Sequence, residues 1–172
     1  MAVVIIDGPE CAGKSTIIDA LTRLSPKTTR LREWGPVSSW HEYVVPFSQD
    51  RARSEELTIW SRSWASEVVY NNLLQRGRSI QEREIRRILE NPEARREVVY
   101  VIVCTDPELL EERRVIRREQ RGKPDLPVDP WEEMLAFADY AKAHRWRTVS
   151  GQTDPEQVAR GIMKWIGALK ND

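Results

Sequence analysis

The feature that most constrains the fold is a nine-residue segment near the N-terminus, between an apolar run and an amphipathic run. The apolar run, Val3 to Ile6, is continuous and β-branched, as a parallel strand buried on both faces requires. The first eight residues of the segment, 8–15, fit the pattern G-x-x-x-x-G-K-[ST], and residues 14–24 carry apolar side chains at helical spacing. A loop between such a strand and helix binds phosphate, because its backbone N–H groups point inward and the helix dipole adds positive charge. The segment, called the phosphate loop below, comprises Gly8, Pro9, Glu10, Cys11, Ala12, Gly13, Lys14, Ser15 and Thr16.

Individual residues of the phosphate loop have expected roles. Gly8 and Gly13 permit backbone torsions and close approaches that a side chain would block. Lys14 is expected to contact the β- and γ-phosphates of a nucleoside triphosphate, and the Ser15 hydroxyl is expected to bind Mg²⁺. ATP and Mg²⁺ are therefore the predicted cofactors. Cys11 is interpreted as a small loop filler, because the sequence supplies no redox partner for it.

Composition narrows the class of protein. The chain has 172 residues, enough for one domain over 1–172, and its 27 basic and 27 acidic residues cancel. A zero net charge disfavours binding to long nucleic acid, so nucleic acid is expected only as a substrate. Two distant cysteines exclude a disulfide framework and a four-cysteine zinc site. Without a basic leader or an apolar run of membrane-spanning length, we expect a cytoplasmic protein with no membrane partner.

Short apolar runs alternate with longer amphipathic segments, and this alternation predicts a parallel α/β fold. Asn91-Pro92 is interpreted as the end of the fourth helix, and Asp106-Pro107 as the start of the fifth. A last helix is expected after Asp154-Pro155. Five strands are predicted at 3–6, 28–33, 57–60, 98–103 and 148–149, and the other helices at 14–24, 37–48, 63–76, 80–91 and 131–144.

The opening of the chain resembles that of the thymidylate kinases, with Glu10 and Cys11 in place of the family's aspartate and glycine. Further segments resemble the compact thymidylate kinase-like proteins of bacteriophages. These are Glu33-Trp34-Gly35-Pro36, His41-Glu42-Tyr43, and residues 60–70 continuing into 75–78. A GTPase is disfavoured, because neither an N-K-x-D segment nor a D-x-x-G segment occurs. The resemblance implies a three-layer α/β/α P-loop NTPase fold with a five-stranded parallel sheet and a short helical lid.

The same resemblance implies ATP- and Mg²⁺-dependent phosphoryl transfer to a deoxynucleoside 5′-monophosphate. In this family an Asp-Arg pair ends the third strand, and its arginine holds the acceptor phosphate. Arg62 matches that arginine, and a guanidinium suits the task because it binds two phosphate oxygens at once. Ser61 stands where the family has its aspartate. Either Glu10, Asp7 or Glu33 takes over the missing charge, or the protein is a weaker or altered catalyst.

Two alternative functions stay open. Glu33 followed by Pro36-Val37 and Trp40 also resembles the deoxynucleoside kinases, with one inserted residue. There a glutamate after the second strand is the base for the 5′-hydroxyl, so the acceptor would be a hydroxyl of a deoxynucleoside, or of a nucleotide or modified base within nucleic acid. The second alternative is a nucleotide-binding module with little catalysis, which the absence of an aspartate at Ser61 would permit.

A basic segment follows the fourth predicted strand, where this kinase family carries its lid. Helical spacing is expected to place four of its arginines on one face. A lid over about 113–127 would neutralise charge on the transferring phosphoryl group, with Arg117 and Arg121 as catalytic candidates. The alternative is a solvated helix with ion pairs. The basic residues are Arg113, Arg114, Arg117, Arg118, Arg121 and Lys123, and the predicted face is Arg114, Arg117, Arg118 and Arg121.

Aromatic residues concentrate between the second strand and the third helix, the region that holds the acceptor in this family. Most are expected in the core, and one or two are expected to stack on a nucleobase. Tyr43, Phe47 and Trp64 are the candidates, and with Glu33 and Arg62 they complete the predicted substrate-binding group. A homodimer is left open, because no self-complementary patch is evident.

Overall fold

A computed structural model describes residues 2–53, 56–78, 81–122 and 127–168. Five parallel strands form one sheet in the order β2-β3-β1-β4-β5. The strands are β1 (Ala2–Asp7), β2 (Thr29–Glu33), β3 (Leu57–Ser61), β4 (Val98–Cys104) and β5 (Arg147–Ser150). Because the strand order reverses at β1, the carboxyl ends around β1 border the crevice in which open α/β sheets bind ligands.

Helices cover both faces of the sheet. Val3 and Ile5 of β1 face one core and Val4 and Ile6 face the other, as the continuous apolar run predicts. The second core is completed by α1 and α8, and the first by the aromatic side chains of α2, α3 and α7. The predicted three-layer arrangement is therefore confirmed. The helices are α1 (Lys14–Leu24), α2 (Val44–Ala52), α3 (Trp64–Leu73), α4 (Glu82–Ile88), α5 (Pro92–Glu97), α6 (Pro107–Arg121), α7 (Pro130–His144) and α8 (Pro155–Ala168), with a 3₁₀ turn over Trp40–Tyr43.

The helices predicted over 37–48 and 80–91 differ most from the structure, and α5 was not predicted. The helix predicted over 37–48 is a 3₁₀ turn followed by α2, and Pro46 lies in the first turn of α2, where its missing N–H costs no hydrogen bond. Asn91-Pro92 does not close the fourth helix, because α4 already ends at Ile88. The Asn91 side chain instead accepts a hydrogen bond from the Ala94 N–H at 2.8 Å and caps the start of α5.

The other proline-marked helix starts follow the sequence. The Asp106 side chain accepts from the Glu108 N–H at 2.9 Å, and Pro107 opens α6. Pro155 opens α8 directly after Asp154. Across the four described ranges, no helix is long and apolar enough to cross a membrane.

Candidate functional site

A cavity of about 760 Å³ lies at the carboxyl end of the sheet, over the phosphate loop. Its volume falls within the range of small-molecule and cofactor sites, about 300–1,000 Å³. Five separate parts of the chain meet there: the phosphate loop, the end of β2, the end of β3, helix α6 and the loop after β5. The lining residues are 10–17, Glu33, Trp34, Ser61, Arg62, Arg113, Arg117 and 151–155.

The phosphate loop uses left-handed backbone conformations. Gly8 has φ 140° and Gly13 has φ 99°. A Cβ on Gly8 would lie 2.5 Å from the Val103 carbonyl oxygen of β4, so this position admits no side chain. Cys11 also has a positive φ, 65°, at the position where the thymidylate kinases carry glycine. Glycine adopts this left-handed conformation without a steric penalty, which explains the family's choice, whereas Cys11 adopts it at a cost in conformational energy.

Lys14 lies folded under the loop. Its Nζ donates to the Gly8 carbonyl at 2.8 Å and to the Pro9 carbonyl at 2.6 Å, and the residue is 8% exposed. Burial lowers the pKa of the ammonium to about 8, against the opposing effect of Asp7. The ammonium is therefore charged near neutral pH and already positioned beside the loop backbone that would hold phosphates.

This pKa predicts a pH dependence of nucleotide binding. Only the protonated Lys14 attracts phosphate, and the pH profile of kcat/KM reports the pKa values of the free enzyme. We expect kcat/KM for the phosphoryl donor to fall above pH 8, by up to about tenfold per pH unit. Steady-state kinetics between about pH 6.5 and 9.5, with melting curves to show that the protein stays folded, measure this. A profile that stays flat to pH 9.5 would contradict the role of Lys14.

Asp7, at the end of β1, binds inward rather than toward the cavity. Its carboxylate accepts from the hydroxyls of Ser63 at 2.8 Å and Ser66 at 2.5 Å, and from the Gly8 N–H at 2.9 Å. Burial raises the pKa of Asp7, whereas the hydrogen bond from Ser66 and the charge of Lys14 lower it. Asp7 thus joins the phosphate loop to the start of α3. Of the three carboxylates that could replace an aspartate at Ser61, it is the one that does not line the cavity.

The other two, Glu10 and Glu33, line the cavity. Glu10 Oε1 lies 2.5 Å from Arg117 Nη1 and 3.7 Å from Arg62 Nη2. Glu33 is exposed at the end of β2, and the register of β2 with β3 pairs it directly with Ser61. The negative charge that Ser61 lacks is therefore present on the neighbouring strand.

Arg62 lies where two cavities meet. Its backbone has φ 69°, and its N–H donates to the Ile6 carbonyl at 3.0 Å, which holds the end of β3 against β1. The residue lines the main cavity and a second one of about 70 Å³. The second cavity is bordered by Trp34, Gly35, Pro36, Tyr43, Arg62, Ser63, Ser66, Glu67, Tyr70 and Arg76.

Helix α6 presents a different face to the cavity from the one predicted. Arg113 donates to the carbonyls of Cys11 and Gly151, both at 3.2 Å, and Arg117 pairs with Glu10. Arg114 points the other way, is 2% exposed and donates to the buried Glu133 carboxylate. Arg114 was therefore wrongly placed on the lid face, because four arginines at three- and four-residue steps do not show which side of the helix is buried.

The rest of the predicted lid over 113–127 is only partly described. The side chain of Arg121 and residues 123–126, which include Lys123, lie outside the described part of the chain. Among the arginines of α6 that are described, Arg113 and Arg117, four residues apart, reach the phosphate loop.

The three predicted base-stacking aromatics are core residues. Tyr43 and Phe47 are each 1% exposed and Trp64 is fully buried. Phe47 packs edge-on against Trp64 with ring centroids 5.5 Å apart, whereas Tyr43 borders the second cavity. Trp34, outside the predicted group, lines both cavities.

Trp34 packs on the core and ends beside the cavities. Its ring meets Tyr43 edge-on, with centroids 4.6 Å apart. Its Nε1 is buried and has no hydrogen-bond partner within the described ranges. The signal in the sequence for this placement is its position immediately after Glu33, at the end of a strand.

The loop after β5 was also missed. Thr105, which follows β4, donates from Oγ1 to the Ala12 carbonyl at 2.8 Å. Gly151 packs against the same carbonyl, so closely that a Cβ there would overlap both the Ala12 oxygen and Thr105 Oγ1. The phosphate loop is thus supported from behind by the ends of β4 and β5. The available signal was the position of Gly151 after a predicted strand, since loops at strand ends form the sites of parallel sheets.

The donor set fits Mg²⁺ bound mainly through phosphates and water. Ser15 is exposed on the cavity wall in the first turn of α1. No group of three or more acidic, histidine or cysteine side chains in the described ranges could by itself hold a metal ion. Mg²⁺ usually keeps several waters and takes one or two protein groups plus substrate phosphates, and Ser15 can supply such a group.

The chain matches no known protein-family profile. The SPbeta prophage-derived protein YorR of Bacillus subtilis (strain 168) is 25% identical over 167 residues, which cover 95% of this chain and 98% of that protein. The crystal structure of YorR in complex with phosphorylated GDP is similar with a TM-score of 0.68 at 19% identity, over 99% of this chain and 98% of that chain.

Two structures of deoxyadenosine kinase from M. mycoides are also similar. One has the products dCMP and a flexible dCDP bound, with a TM-score of 0.56 at 13% identity over 97% of this chain and 99% of that chain. The other has dATP bound, with a TM-score of 0.54 at 14% identity over 96% of this chain and 99% of that chain. The predicted P-loop α/β/α fold is therefore confirmed: the chain has the fold of YorR and of deoxyadenosine kinase.

Proposed function

We propose that the protein is a phosphotransferase that moves the γ-phosphoryl group of ATP to the 5′-phosphate of a deoxynucleoside monophosphate. The observation that carries this proposal is the position of Arg62, which lines both the cavity over the phosphate loop and the smaller second cavity. A guanidinium at that junction suits an acceptor phosphate that faces the donor. The fold shared with deoxyadenosine kinase supports the reaction type, and the prophage origin of YorR supports the resemblance to bacteriophage kinases.

In this proposal the protein acts by positioning and charge compensation. Lys14, Arg113 and Arg117 surround the donor phosphates, and Ser15 would hold Mg²⁺, which neutralises phosphate charge when bound. An oxygen of the acceptor phosphate forms a bond to the γ-phosphorus as the bond to the bridging oxygen of ADP breaks. Before this step Arg62 and Arg117 exchange the Glu10 carboxylate for phosphate oxygens, since both lie within 4 Å of it.

Acceptor binding requires the second cavity to open. Its volume of about 70 Å³ is far below that of a ligand site. Its wall at Trp34, Gly35 and Pro36 is a loop, and a side chain at Gly35 would meet open space. We propose that this loop moves outward and that the base enters beside Trp34 and Tyr43.

A second candidate is transfer to a hydroxyl of a nucleoside. Glu33 favours it, because this carboxylate lines the cavity beside Ser61 and is exposed at the end of its strand. There it would take the proton of the hydroxyl as the oxygen attacks the γ-phosphorus and ADP leaves. The structural similarity to deoxyadenosine kinase supports this candidate as well.

A panel of acceptors separates these candidates. ADP release from ATP is measured with deoxynucleosides, deoxynucleoside monophosphates and an oligonucleotide as acceptors. The leading proposal expects turnover with at least one monophosphate, and no turnover with any of them would overturn it. Turnover with nucleosides alone supports the hydroxyl candidate, and nucleotide binding without any turnover supports a binding module. Melting-temperature shifts report binding in each case.

Two variants then test the acceptor chemistry. A phosphate acceptor is already ionised, so Glu33→Gln should change kcat by less than about tenfold, whereas loss of a base for a hydroxyl costs about 100-fold or more. Arg62→Ala should raise KM for a monophosphate and leave KM for a nucleoside unchanged. A fall in kcat of about 100-fold or more in Glu33→Gln, with an unchanged KM for the acceptor in Arg62→Ala, would favour the hydroxyl candidate.

For the lid, we expect Arg117→Ala to lower kcat by about 100-fold, because this guanidinium lies beside the phosphate loop and would compensate charge that develops during transfer. Its effect on ATP affinity should be smaller. Arg160→Ala is the control and should leave kcat unchanged, because Arg160 lies on the exposed face of α8, where it pairs with Glu156. Unchanged turnover in Arg117→Ala would count against a catalytic lid.

A further inference from the structure

Glu133 is a fully buried carboxylate in the first turn of α7. One of its oxygens, Oε1, accepts from the backbone N–H of Glu10 at 3.1 Å and also from the Tyr70 hydroxyl. The other, Oε2, accepts from the Arg114 guanidinium. The carboxylate is thus hydrogen-bonded to three donors from distant parts of the chain.

These donors lie in the three elements that surround the proposed substrates. Glu10 lies in the phosphate loop, Tyr70 in α3 beside the second cavity, and Arg114 in the lid helix α6. Arg114 also donates to the Val128 carbonyl at 2.9 Å, just before the cap of α7. A single side chain therefore connects the phosphate loop, the acceptor helix and the lid.

We propose that Glu133 is a positioning residue that fixes the phosphate loop at Glu10, and through Glu10 the arginines of the site. The expected effect of Glu133 on catalysis rests on the proposed function. Its expected effect on nucleotide binding does not depend on that function. The N–H of Glu10 is held by Glu133, while the carboxylate of Glu10 pairs with Arg117 and Arg62. Moving this backbone N–H would move the Glu10 carboxylate, and with it both guanidiniums.

The chemistry requires a carboxylate. An ionised carboxylate only accepts hydrogen bonds, so it can satisfy three donors at once. A glutamine would turn an NH₂ group either toward the Arg114 guanidinium or toward the donors on Glu10 and Tyr70. In either orientation the NH₂ group faces another hydrogen-bond donor. Glu133→Gln therefore breaks at least one of these hydrogen bonds while it preserves the volume of the side chain.

The molecule offers a matched control at Glu90. This carboxylate is also buried, and it accepts from Trp64 Nε1 at 2.8 Å, the Tyr140 hydroxyl at 3.2 Å and Arg95 at 3.2 Å. It also bonds His144 Nδ1 at 2.9 Å. None of these partners lines the main cavity or the second cavity. Glu90→Gln therefore repeats the same chemical change away from the site.

The experiment compares Glu133→Gln and Glu90→Gln at a temperature where circular dichroism shows both folded. Binding of ADP is measured by calorimetry, and amide hydrogen exchange is followed over residues 8–14. We expect Glu133→Gln to raise the Kd for ADP by about tenfold and to speed exchange in the phosphate loop. Glu90→Gln should lower the melting temperature and leave the Kd within about twofold of the wild-type value.

Tyr70→Phe is the milder variant and serves if Glu133→Gln does not fold. It removes one donor with little change in volume, and we expect a smaller rise in Kd, about threefold, with faster exchange at the loop. An unchanged Kd and unchanged loop exchange in the folded Glu133→Gln variant, or in Tyr70→Phe if that is the one that folds, would overturn the inference. An equal loss of ADP binding in Glu90→Gln would also overturn it, by showing a general effect of stability.

Neither readout requires phosphoryl transfer. A wild-type protein that binds ADP but transfers phosphate to no acceptor contradicts the proposed function. The inference on Glu133 is then decided separately, by the Kd for ADP and the hydrogen-exchange data. Where transfer is found, kcat in Glu133→Gln should fall further than the change in Kd alone explains, because Arg62 and Arg117 are displaced together.

Discussion

Lys14→Ala is expected to lower phosphoryl transfer by about 1,000-fold, the loss seen when a charge-stabilising donor is removed from a catalytic site. The Lys14 ammonium is held within 3 Å of the Gly8 and Pro9 carbonyls, so it is already in place before phosphates arrive. Alanine is a good helix former, so the substitution preserves the start of α1 and removes only the long side chain and its charged ammonium. The measurement is ADP release with the best acceptor of the panel.

Lys142→Ala is the control for this variant. Lys142 is exposed in the last turn of α7 and does not line the cavity, so its loss should leave turnover unchanged. Full activity of Lys14→Ala would show that the motif at residues 8–16 does not act as a catalytic phosphate loop in this protein.

Gly151→Ala has the largest expected effect on stability. The added Cβ would overlap the backbone carbonyl oxygen of Ala12 and also Thr105 Oγ1, a side-chain atom that is itself hydrogen-bonded to that carbonyl. Overpacking of this kind costs about 3 kcal/mol, equivalent to a fall in melting temperature of about 10 °C for a chain of this size. Because relief requires Ala12 to move, the affinity for ADP should fall as well. Thermal melts and calorimetry measure the two effects.

Gly161→Ala makes the same chemical change with the opposite expected sign. Gly161 lies inside α8, and a Cβ there would meet nothing within 4 Å. Alanine in a helix interior is favoured over glycine, so we expect a gain of about 0.5–1 kcal/mol and no change in ADP affinity. A Gly151→Ala variant as stable as the wild type would mean that the loop after β5 does not pack against the phosphate loop as described.

Features set by neighbouring residues could be predicted from the sequence. The β1 strand, the phosphate loop and α1 follow from an apolar run, two glycines and helical spacing within residues 3–24. The capped start of α6 at Asp106-Pro107 is equally local, because a side chain satisfies an N–H two positions away. Asn91-Pro92 carries the same local signal for a helix start, because the Asn91 side chain caps α5 and Pro92 opens it; interpreting this dipeptide as a helix end was wrong.

Features set by contacts between distant residues could not be predicted. Helical spacing grouped Arg114 with Arg117, but the buried Glu133 on α7 draws Arg114 inward and leaves Arg113 beside the loop. The aromatic side chains between β2 and α3 pack together in one core. Which rings face the cavity depends on the layers packed around them, so Trp34 borders it while Phe47 and Trp64 lie in the core.

The sequence by itself determined the parallel α/β fold and the location of the phosphate loop, because both depend on periodicity and on glycines within a few residues of each other. Only the tertiary structure decided which carboxylates and arginines meet at that loop. Glu33 reaches Ser61 through strand register, Arg113 and Arg117 reach residues 10 and 11 through helix packing, and Glu133 reaches Glu10 across 123 positions of sequence. These contacts depend on how whole strands and helices pack, so no local pattern in the sequence predicts them.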